Sequence, residues 1–229
     1  MNATLLFAAN SSINVNVGGL KNPSTSVLII VVFTVLAIAP SVLVLMTAFP
    51  RTFIVLALTR NALGTQTVPP NQVLAGLALI ISLFIMAPVM STINHVAIQP
   101  YEHGQVTATQ AIALGEVPLK KWMLEQTKNQ ELSMFTSFRH ESAKNPESLP
   151  LTTVIPAFVL SEIQTAFLIG FMIFVPFMII DLVVSAIMMS MGMYMLPPTL
   201  IALPFKILLF VLVDGWTLVV HSLLLSFNH

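Results

Sequence analysis

Four long apolar runs, separated by polar residues, dominate the hydrophobic pattern of the chain. The runs are Val27–Phe49, Val73–Ile93, Ala157–Leu196 and Thr199–Phe227. A helix rises 1.5 Å per residue, so about 20 residues cross a hydrocarbon layer of roughly 30 Å, and each run reaches that length. The pattern therefore predicts an all-α, multi-helix membrane protein with about four apolar helical blocks.

Proline and charge interrupt some of these blocks. Ala157–Leu196 has 40 residues, about twice the number that one span needs. Pro176 and Asp181 divide this run, which predicts either a broken helix or a tight hairpin. Pro40 and Pro88 lie inside the first two runs and predict kinks there.

A polar segment, residues 94–150, separates the two apolar halves and holds 11 of the 18 charged residues. Thr107 and Gln110 have the spacing of a capping box, which predicts a short helix that ends near Leu114. Pro118 is well placed to open a second helix. We therefore predict a small, water-exposed helical insert, hereafter the insert.

Apolar residues at helical spacing give the insert a stripe that can pack against other helices. The members of this stripe are Leu119, Trp122 and Met123 on one predicted helix and Leu132, Phe135 and Phe138 on another.

These contrasts divide the chain into four regions. We interpret residues 1–26, in which Asn and Ser predominate, as a loosely ordered polar tail. Leu5–Ala9 is too short for the core of a signal peptide, so either a signal has been removed or the first membrane span exports the tail. Residues 27–93 form the first two apolar helical blocks, 94–150 the insert, and 151–229 the C-terminal apolar helical hairpins.

Arg51 and Arg60 lie in the connection between the first two blocks. Positively charged connections favour the cytoplasm, so we expect the insert on the non-cytoplasmic side.

A methionine-rich turn, Met188–Pro198, joins the last two blocks and contains five of the 13 methionines. Methionine is flexible and polarisable, so it adapts its shape to what it contacts. Gly192 permits a close turn, while Pro197 and Pro198 prevent a helix from continuing through it. The pattern predicts a soft turn with a hinge, which serves either as a buried hairpin tip or as a functional seal.

Four ionisable residues fall within the C-terminal blocks: Glu162, Asp181, Lys206 and Asp214. A charge in a bilayer costs roughly 3 kcal/mol on insertion scales, so such groups face protein or water and are usually paired. Glu162 and Lys206 are the obvious pair of opposite sign, whereas Asp181 and Asp214 are expected to face polar backbone or a wet cavity. The cluster is either a proton or ion relay or a set of structural pairs.

Composition narrows the function. Only 8% of the residues are charged, mean hydropathy is +0.92 and the formal net charge is zero, so nothing favours nucleic acid as a partner. The chain has no Cys, and its five His residues lack the spacing of a helical metal site. We find no phosphate-binding or nucleophile motif, so we expect neither an enzyme nor a protein with a metal or cofactor.

Several motifs, in matching order, resemble the FliP/SctR family of type III export-gate membrane proteins, over about residues 28 to 227. They are Arg60-Asn61-Ala62-Leu63-Gly64, Pro69–Leu74, Leu160-Ser161-Glu162, Thr165-Ala166-Phe167, Ile180–Val184, Met188–Met193, Leu203-Pro204-Phe205-Lys206 and Val213-Asp214-Gly215-Trp216. The chain departs from the common pattern at Tyr194, which interrupts the methionine run, and in a tail without a recognisable cleavable signal.

The resemblance implies a pore-forming core subunit of the flagellar type III protein export gate. Copies of the chain, five by the resemblance, would form a ring or helical pore with FliQ and FliR and then meet other export-gate proteins. The pore would pass unfolded flagellar proteins across the bacterial inner membrane, with much of the assembled core in the flagellar basal body displaced toward the periplasm. One alternative is an SctR-type subunit of a virulence injection system. An alternative of another class is a small ion or proton channel or a secondary transporter, although we find no inverted repeat to favour it.

Within that resemblance, the turn residues take a specific role. In a symmetric assembly, one residue near the axis repeats as a ring. We therefore predict a pore gasket made of Met191, Met193 and Met195, with Tyr194 at its edge. We also predict that Glu162 and Lys206 pair between adjacent copies, on the premise that each is a lone charge in an apolar helical setting.

Overall fold

The computed structural model describes residues 29–30, 33–34, 37, 41–42, 44–65, 67–141, 145–193 and 195–227. The predicted tail, the kink at Pro40 and the gasket residue Tyr194 lie outside the described residues. The chain divides into two units, residues 1–40 and 41–229, and the described residues of the first are helical.

All regular elements within these ranges are helices, which confirms the all-α expectation. They are α1 Phe49–Ala62, α2 Asn71–Ile93, α3 Gln99–Glu102, α4 Ala108–Gln126, α5 Asn129–Phe138, α6 Leu151–Ser190, α7 Pro198–Leu212 and α8 Gly215–Leu225. A π-helical turn, Asn94–Ile98, joins α2 to α3, and a 3-10 turn, Pro146–Ser148, precedes α6.

Two continuous helical stretches, Asn71–Glu102 and Leu151–Ser190, are long and apolar enough to cross a membrane. Helices α7 and α8, bent by 64°, provide a third if they count as one broken span. The predicted second block is confirmed as α2, and its Pro88 lies inside the helix.

Helix α6 runs without a break for 40 residues, about 60 Å at 1.5 Å per residue. The prediction of a break or hairpin at Pro176 and Asp181 is wrong. Pro176 removes one backbone hydrogen bond, but in apolar surroundings the neighbouring peptide groups have no water to turn to and keep their helical partners. The chain instead reverses only at the methionine-rich turn, where Gly192 has a left-handed φ of 76°.

Asp214 marks the break between α7 and α8. Its φ of 51° is left-handed, a conformation that is uncommon outside glycine and ends α7. The Phe210 ring lies directly against Gly215, where any side chain would collide with it. A backbone corner thus divides the last apolar run, Thr199–Phe227.

The insert is helical with exposed polar faces, but its first residues, 94–102, continue the long apolar helical stretch of α2, and its helix ends differ from those predicted. The capping box of Thr107 and Gln110 is confirmed, while α4 continues through Pro118 to Gln126 instead of ending near Leu114. Trp122 and Met123 are buried as expected, and so is Leu132. Phe138, predicted to share the stripe, is 85% exposed.

Two clusters of buried side chains hold residues 41–229 together. The insert-side core gathers residues from the segment before α1 and from α2, α4, α5 and α6: Met46, Ala48, Met86, Val89, Trp122, Met123, Leu132, Leu149, Val154, Ala157 and Phe158. The hairpin-side core gathers α1, α2, α6, α7 and α8: Val55, Leu56, Ala62, Leu63, Leu74, Ala78, Ile81, Ala166, Phe177, Phe210, Val219 and Leu223. Each core contains one ion pair at its edge.

Candidate functional site: two buried ion pairs and a methionine-rich turn

Arg51 and Glu162 form a buried ion pair between α1 and α6. Arg51 is 2% exposed and Glu162 is fully buried. The guanidinium binds the carboxylate through two nitrogens: Nε donates to Oε2 at 3.0 Å, and Nη2 donates to Oε1. A paired fork of this kind is among the strongest side-chain hydrogen-bond arrangements, so it fixes α1 on α6.

The remaining donors of Arg51 reach two other parts of the chain. Nη1 donates to the Ser226 carbonyl oxygen at 2.6 Å and to Ser226 Oγ at 3.1 Å, just beyond α8. Nη2 also donates to Gln126 Oε1 at 3.3 Å, at the end of α4. The guanidinium carbon lies 3.9 Å from the centre of the Phe227 ring, a cation–π contact. One side chain thus connects α1, α4, α6 and α8.

Further polar contacts hold the insert against α6. The Lys128 backbone N–H donates to Ser161 Oγ at 3.0 Å, and Gln164 Nε2 donates to Glu131 Oε1 at 2.7 Å. Ser161 and Glu131 are both buried. The insert is therefore an integral part of the folded unit.

Lys206 forms the second ion pair, with Asp181. Its Nζ donates to Asp181 Oδ2 at 2.5 Å and to the Ala62 carbonyl oxygen at 3.3 Å. The pair joins α6 to α7, the two arms of the methionine hairpin, and the carbonyl contact adds the end of α1. Lys206 thus stabilises the hairpin and docks it on the rest of the fold.

The Lys206–Asp181 pair is less complete than the Arg51–Glu162 pair. Asp181 is 27% exposed at its side chain, and its Oδ1 has no hydrogen-bond partner among the residues that the structure describes. A cavity of about 660 Å³ adjoins the pair and is lined in part by Asn61, Thr65 and Thr199. Asp181 thus borders a cavity with polar side chains in its wall, and water in that cavity stays a prediction.

The predicted pairing of Glu162 with Lys206 rests on a premise that is wrong. Each residue already has a partner of opposite charge in its own chain, Arg51 for Glu162 and Asp181 for Lys206. A contact between copies stays a prediction, but the charges no longer require it. Asp214, also predicted to be buried, is exposed in the chain because it occupies the corner between α7 and α8.

Sequence reasoning missed Arg51 as a site residue. Its position between two apolar runs suggested a charged connection in the cytoplasm, whereas it lies buried in the first turns of α1. Its solvent-free position removes it as evidence for topology. The available signal is the imbalance of three acidic residues against one lysine in the C-terminal blocks, which requires a basic partner from elsewhere in the chain.

The methionine-rich turn projects its side chains outward. Met195 is 98% exposed and Met191 is 63% exposed, while Met193 is partly exposed and Met188 is buried. Within one chain these three gasket candidates are exposed, and both interpretations of the turn stay predictions. Tyr194 lies outside the described residues.

An apolar groove of about 540 Å³ lies beneath the turn, between the end of α6 and the start of α7. Met191 and Met193 line it together with Ile187, Ile201 and Phe205. Exposed apolar side chains continue along the C-terminal half of α6, including Phe171, Met172, Ile179, Leu182 and Val183. Such a large apolar surface marks contact with lipid or with other protein.

The described residues contain no group of three or more His, Cys, Asp or Glu side chains that could hold a metal ion. The arrangement can pair charges, pack helices and present flexible apolar side chains. Fold and site together define a helical membrane protein whose methionine-rich turn is apolar and exposed in the single chain.

Comparison with known proteins identifies the family of this chain. The FliP family model matches residues 32–223. The chain is 50% identical over 208 residues to the flagellar biosynthetic protein FliP of Bacillus subtilis (strain 168), covering 90% of this chain and 94% of that protein. It is 48% identical over 203 residues to FliP of Pectobacterium carotovorum subsp. carotovorum, covering 88% and 79%. It is 42% identical over 231 residues to FliP of Aquifex aeolicus (strain VF5), covering 100% and 96%. The chain belongs to the FliP family.

Proposed function

We propose that this chain is a component of the flagellar protein-export apparatus and, more specifically, a pore-forming core subunit of its export gate. Family membership supports the flagellar role, since the matched relatives are flagellar biosynthetic proteins. The outward methionine-rich turn is the observation that carries the pore-forming role.

The single chain leaves a surface that a ring of copies would cover. Met191 and Met195 project from the tip, and the groove beneath them is open and apolar. Around a symmetry axis the same turns would meet one another, and flexible thioether side chains could close a narrow passage. They could also rearrange around side chains of varying size in an unfolded polypeptide. The proposed gasket is therefore Met191, Met193 and Met195, with Tyr194 at its edge and Gly192, Pro197 and Pro198 setting the turn.

The proposed assembly is a homo-oligomer of five copies, completed by FliQ and FliR and followed by other export-gate proteins. The bacterial inner membrane at the flagellar basal body is its proposed location, with the insert on the non-cytoplasmic side and the core displaced toward the periplasm. Arg60 at the end of α1 supports that orientation, because positively charged connections between spans favour the cytoplasm. A single-cysteine variant at the exposed Ser137 tests it, because a reagent confined to the outside of the inner membrane should label the thiol. Labelling only from the cytoplasmic side would contradict the orientation.

The mass of the detergent-purified complex tests the assembly. We expect a ring of copies, extended by FliQ and FliR when these are co-expressed. A stable monomer that remains monomeric with both partners present would contradict the proposal and favour a self-contained channel or carrier.

A further inference from the structure

The two residues after α8, Ser226 and Phe227, cover the guanidinium of Arg51 and also contact the insert. Ser226 supplies both acceptors of Arg51 Nη1, and Phe227 stacks on the guanidinium. On the insert side, the rings of Phe227 and Trp122 are stacked at 6.4 Å with 16° between their planes. Gln126 Nε2 adds a hydrogen bond of 3.5 Å to the Phe227 carbonyl oxygen.

The position of these two residues suits a cation. The last carbonyl groups of a helix lack intrahelical partners and carry the negative end of its dipole. The Ser226 carbonyl lies in the turn that closes α8 and accepts from Arg51 at 2.6 Å. The buried charge of Arg51 therefore stabilises one particular placement of the end of α8.

We propose that Ser226 and Phe227 form a mechanical coupling that ties the position of α8 to the docking of the insert through Arg51. If α8 shifts, Nη1 loses its acceptors and the Trp122 ring loses its neighbour, so the end of α4 loosens from the fold. Conversely, an insert that loosens at Trp122 and Gln126 releases α8. The coupling does not depend on the proposed pore.

The test uses the absence of cysteine from the chain, which makes one introduced thiol unambiguous. Thr127→Cys reports on the end of α4, because Thr127 is buried directly after Gln126. Ala78→Cys is the reference thiol, since Ala78 is fully buried in α2 within the hairpin-side core. Both are labelled in the full chain, within its purified complex, by a water-soluble maleimide.

Phe227→Leu keeps an apolar side chain but removes the cation–π contact and the ring stack. We expect labelling of the thiol at position 127 to accelerate about three- to tenfold, the range between an exposed and a fully desolvated cation–π contact, because Phe227 is half-buried. Labelling of the reference thiol at position 78 should stay unchanged. The matched control is Phe84→Leu, which alters an exposed phenylalanine on α2 and should leave both rates unchanged.

Reciprocity sharpens the test, because a coupling free energy acts equally in both directions. Trp122→Leu on the insert should therefore accelerate labelling of the thiol introduced by Val219→Cys, at a buried position on α8. An unchanged labelling rate at position 127 in Phe227→Leu would overturn the proposal. Equal acceleration at position 127 and at the reference position 78 would also overturn it, since that pattern reports general loosening of the fold.

Discussion

The Arg51–Glu162 pair joins α1 to the distant α6, and the Lys206–Asp181 pair joins the consecutive helices α6 and α7. The surroundings of the two pairs differ as well. In the first pair, both side chains are almost fully buried, and the remaining donors of Arg51 meet Gln126 and Ser226. In the second pair, Asp181 is partly exposed beside a cavity of about 660 Å³ and keeps one oxygen without a partner in the described part of the chain.

This difference shows in which region the charged groups find all their partners within one chain. Around Arg51, the insert and the helices packed on it enclose the charges, so both charges find their partners within one chain. Around Lys206, the arms of the methionine hairpin meet, and their outer faces stay apolar and open. Oδ1 of Asp181 is buried and has no partner in the described part of the chain. The hairpin end therefore differs from the insert side, because it keeps an unpaired buried oxygen beside an open apolar surface.

Removing Glu162 should destabilise the fold more than removing Asp181. Glu162→Ala leaves the Arg51 charge buried without its carboxylate, which should destabilise the fold by about 3–5 kcal/mol. Thermal unfolding in detergent, followed by the fluorescence of Trp122 and Trp216, measures the loss. Glu147→Ala, at an exposed site in the insert, is the control and should unfold as the unaltered chain does. Unfolding of Glu162→Ala within about 0.5 kcal/mol of that control, the range of ordinary surface changes, would refute the role of the pair.

Asp181→Ala should cost less than Glu162→Ala, about 1–3 kcal/mol, the usual range for leaving one buried polar group without its partner. Lys206 keeps the Ala62 carbonyl, and the adjoining cavity is large enough to admit water to its ammonium group. The same unfolding measurement checks the order of the two effects. If Asp181→Ala proves as damaging as Glu162→Ala, the two pairs are equally enclosed and the comparison fails.

Gly215→Ala tests the corner between α7 and α8. A Cβ there would overlap atoms of the Phe210 ring, so the ring or the backbone must shift at a cost of about 1–3 kcal/mol. Gly76→Ala is the matched control within α2, where nothing lies within 4 Å of the added carbon. It should stabilise its helix by about 0.5–1 kcal/mol, the usual gain of alanine over glycine. Two changes of the same sign and size would show that the corner is not tightly packed.

Thr107→Ala gives the smallest effect, because the capping box lies at the exposed start of α4, away from both ion pairs. Loss of the cap should cost about 1 kcal/mol. Hydrogen exchange should accelerate at the first turn of α4 and remain unchanged at its end near Trp122. Acceleration along the whole helix would mean that the insert depends on its cap more than on its packing.

Local rules predicted much of the fold. The apolar run Val73–Ile93 predicted α2 almost to the residue, and the spacing of Thr107 and Gln110 predicted the capped start of α4. Both signals act within a turn or within one helix, where spacing along the chain decides the geometry. The ends of the helices were harder to predict. Pro118 and Pro176 could each have ended a helix, but α4 and α6 continue through them.

The ion pairs could not be predicted for a different reason. Arg51 and Glu162 are 111 positions apart, and the partner of Lys206 is fixed by how α7 folds back on α6. The sequence showed which charges need partners, but only the tertiary packing assigns them. The outward direction of Met195 likewise depends on where the turn ends and not on its composition.

The ion permeability of membranes that contain the assembled complex tests most directly whether the methionine-rich turn closes a pore. The variant replaces Met191, Met193 and Met195 together with alanine. Its matched control replaces three exposed methionines away from the turn, Met90, Met134 and Met172. We predict that the turn variant still assembles but leaks small ions, because alanine is too short to fill the passage, while the control stays tight. If the turn variant assembles and is as impermeable to small ions as the unaltered complex, the turn does not close a pore. These methionines would then only pack against neighbouring helices.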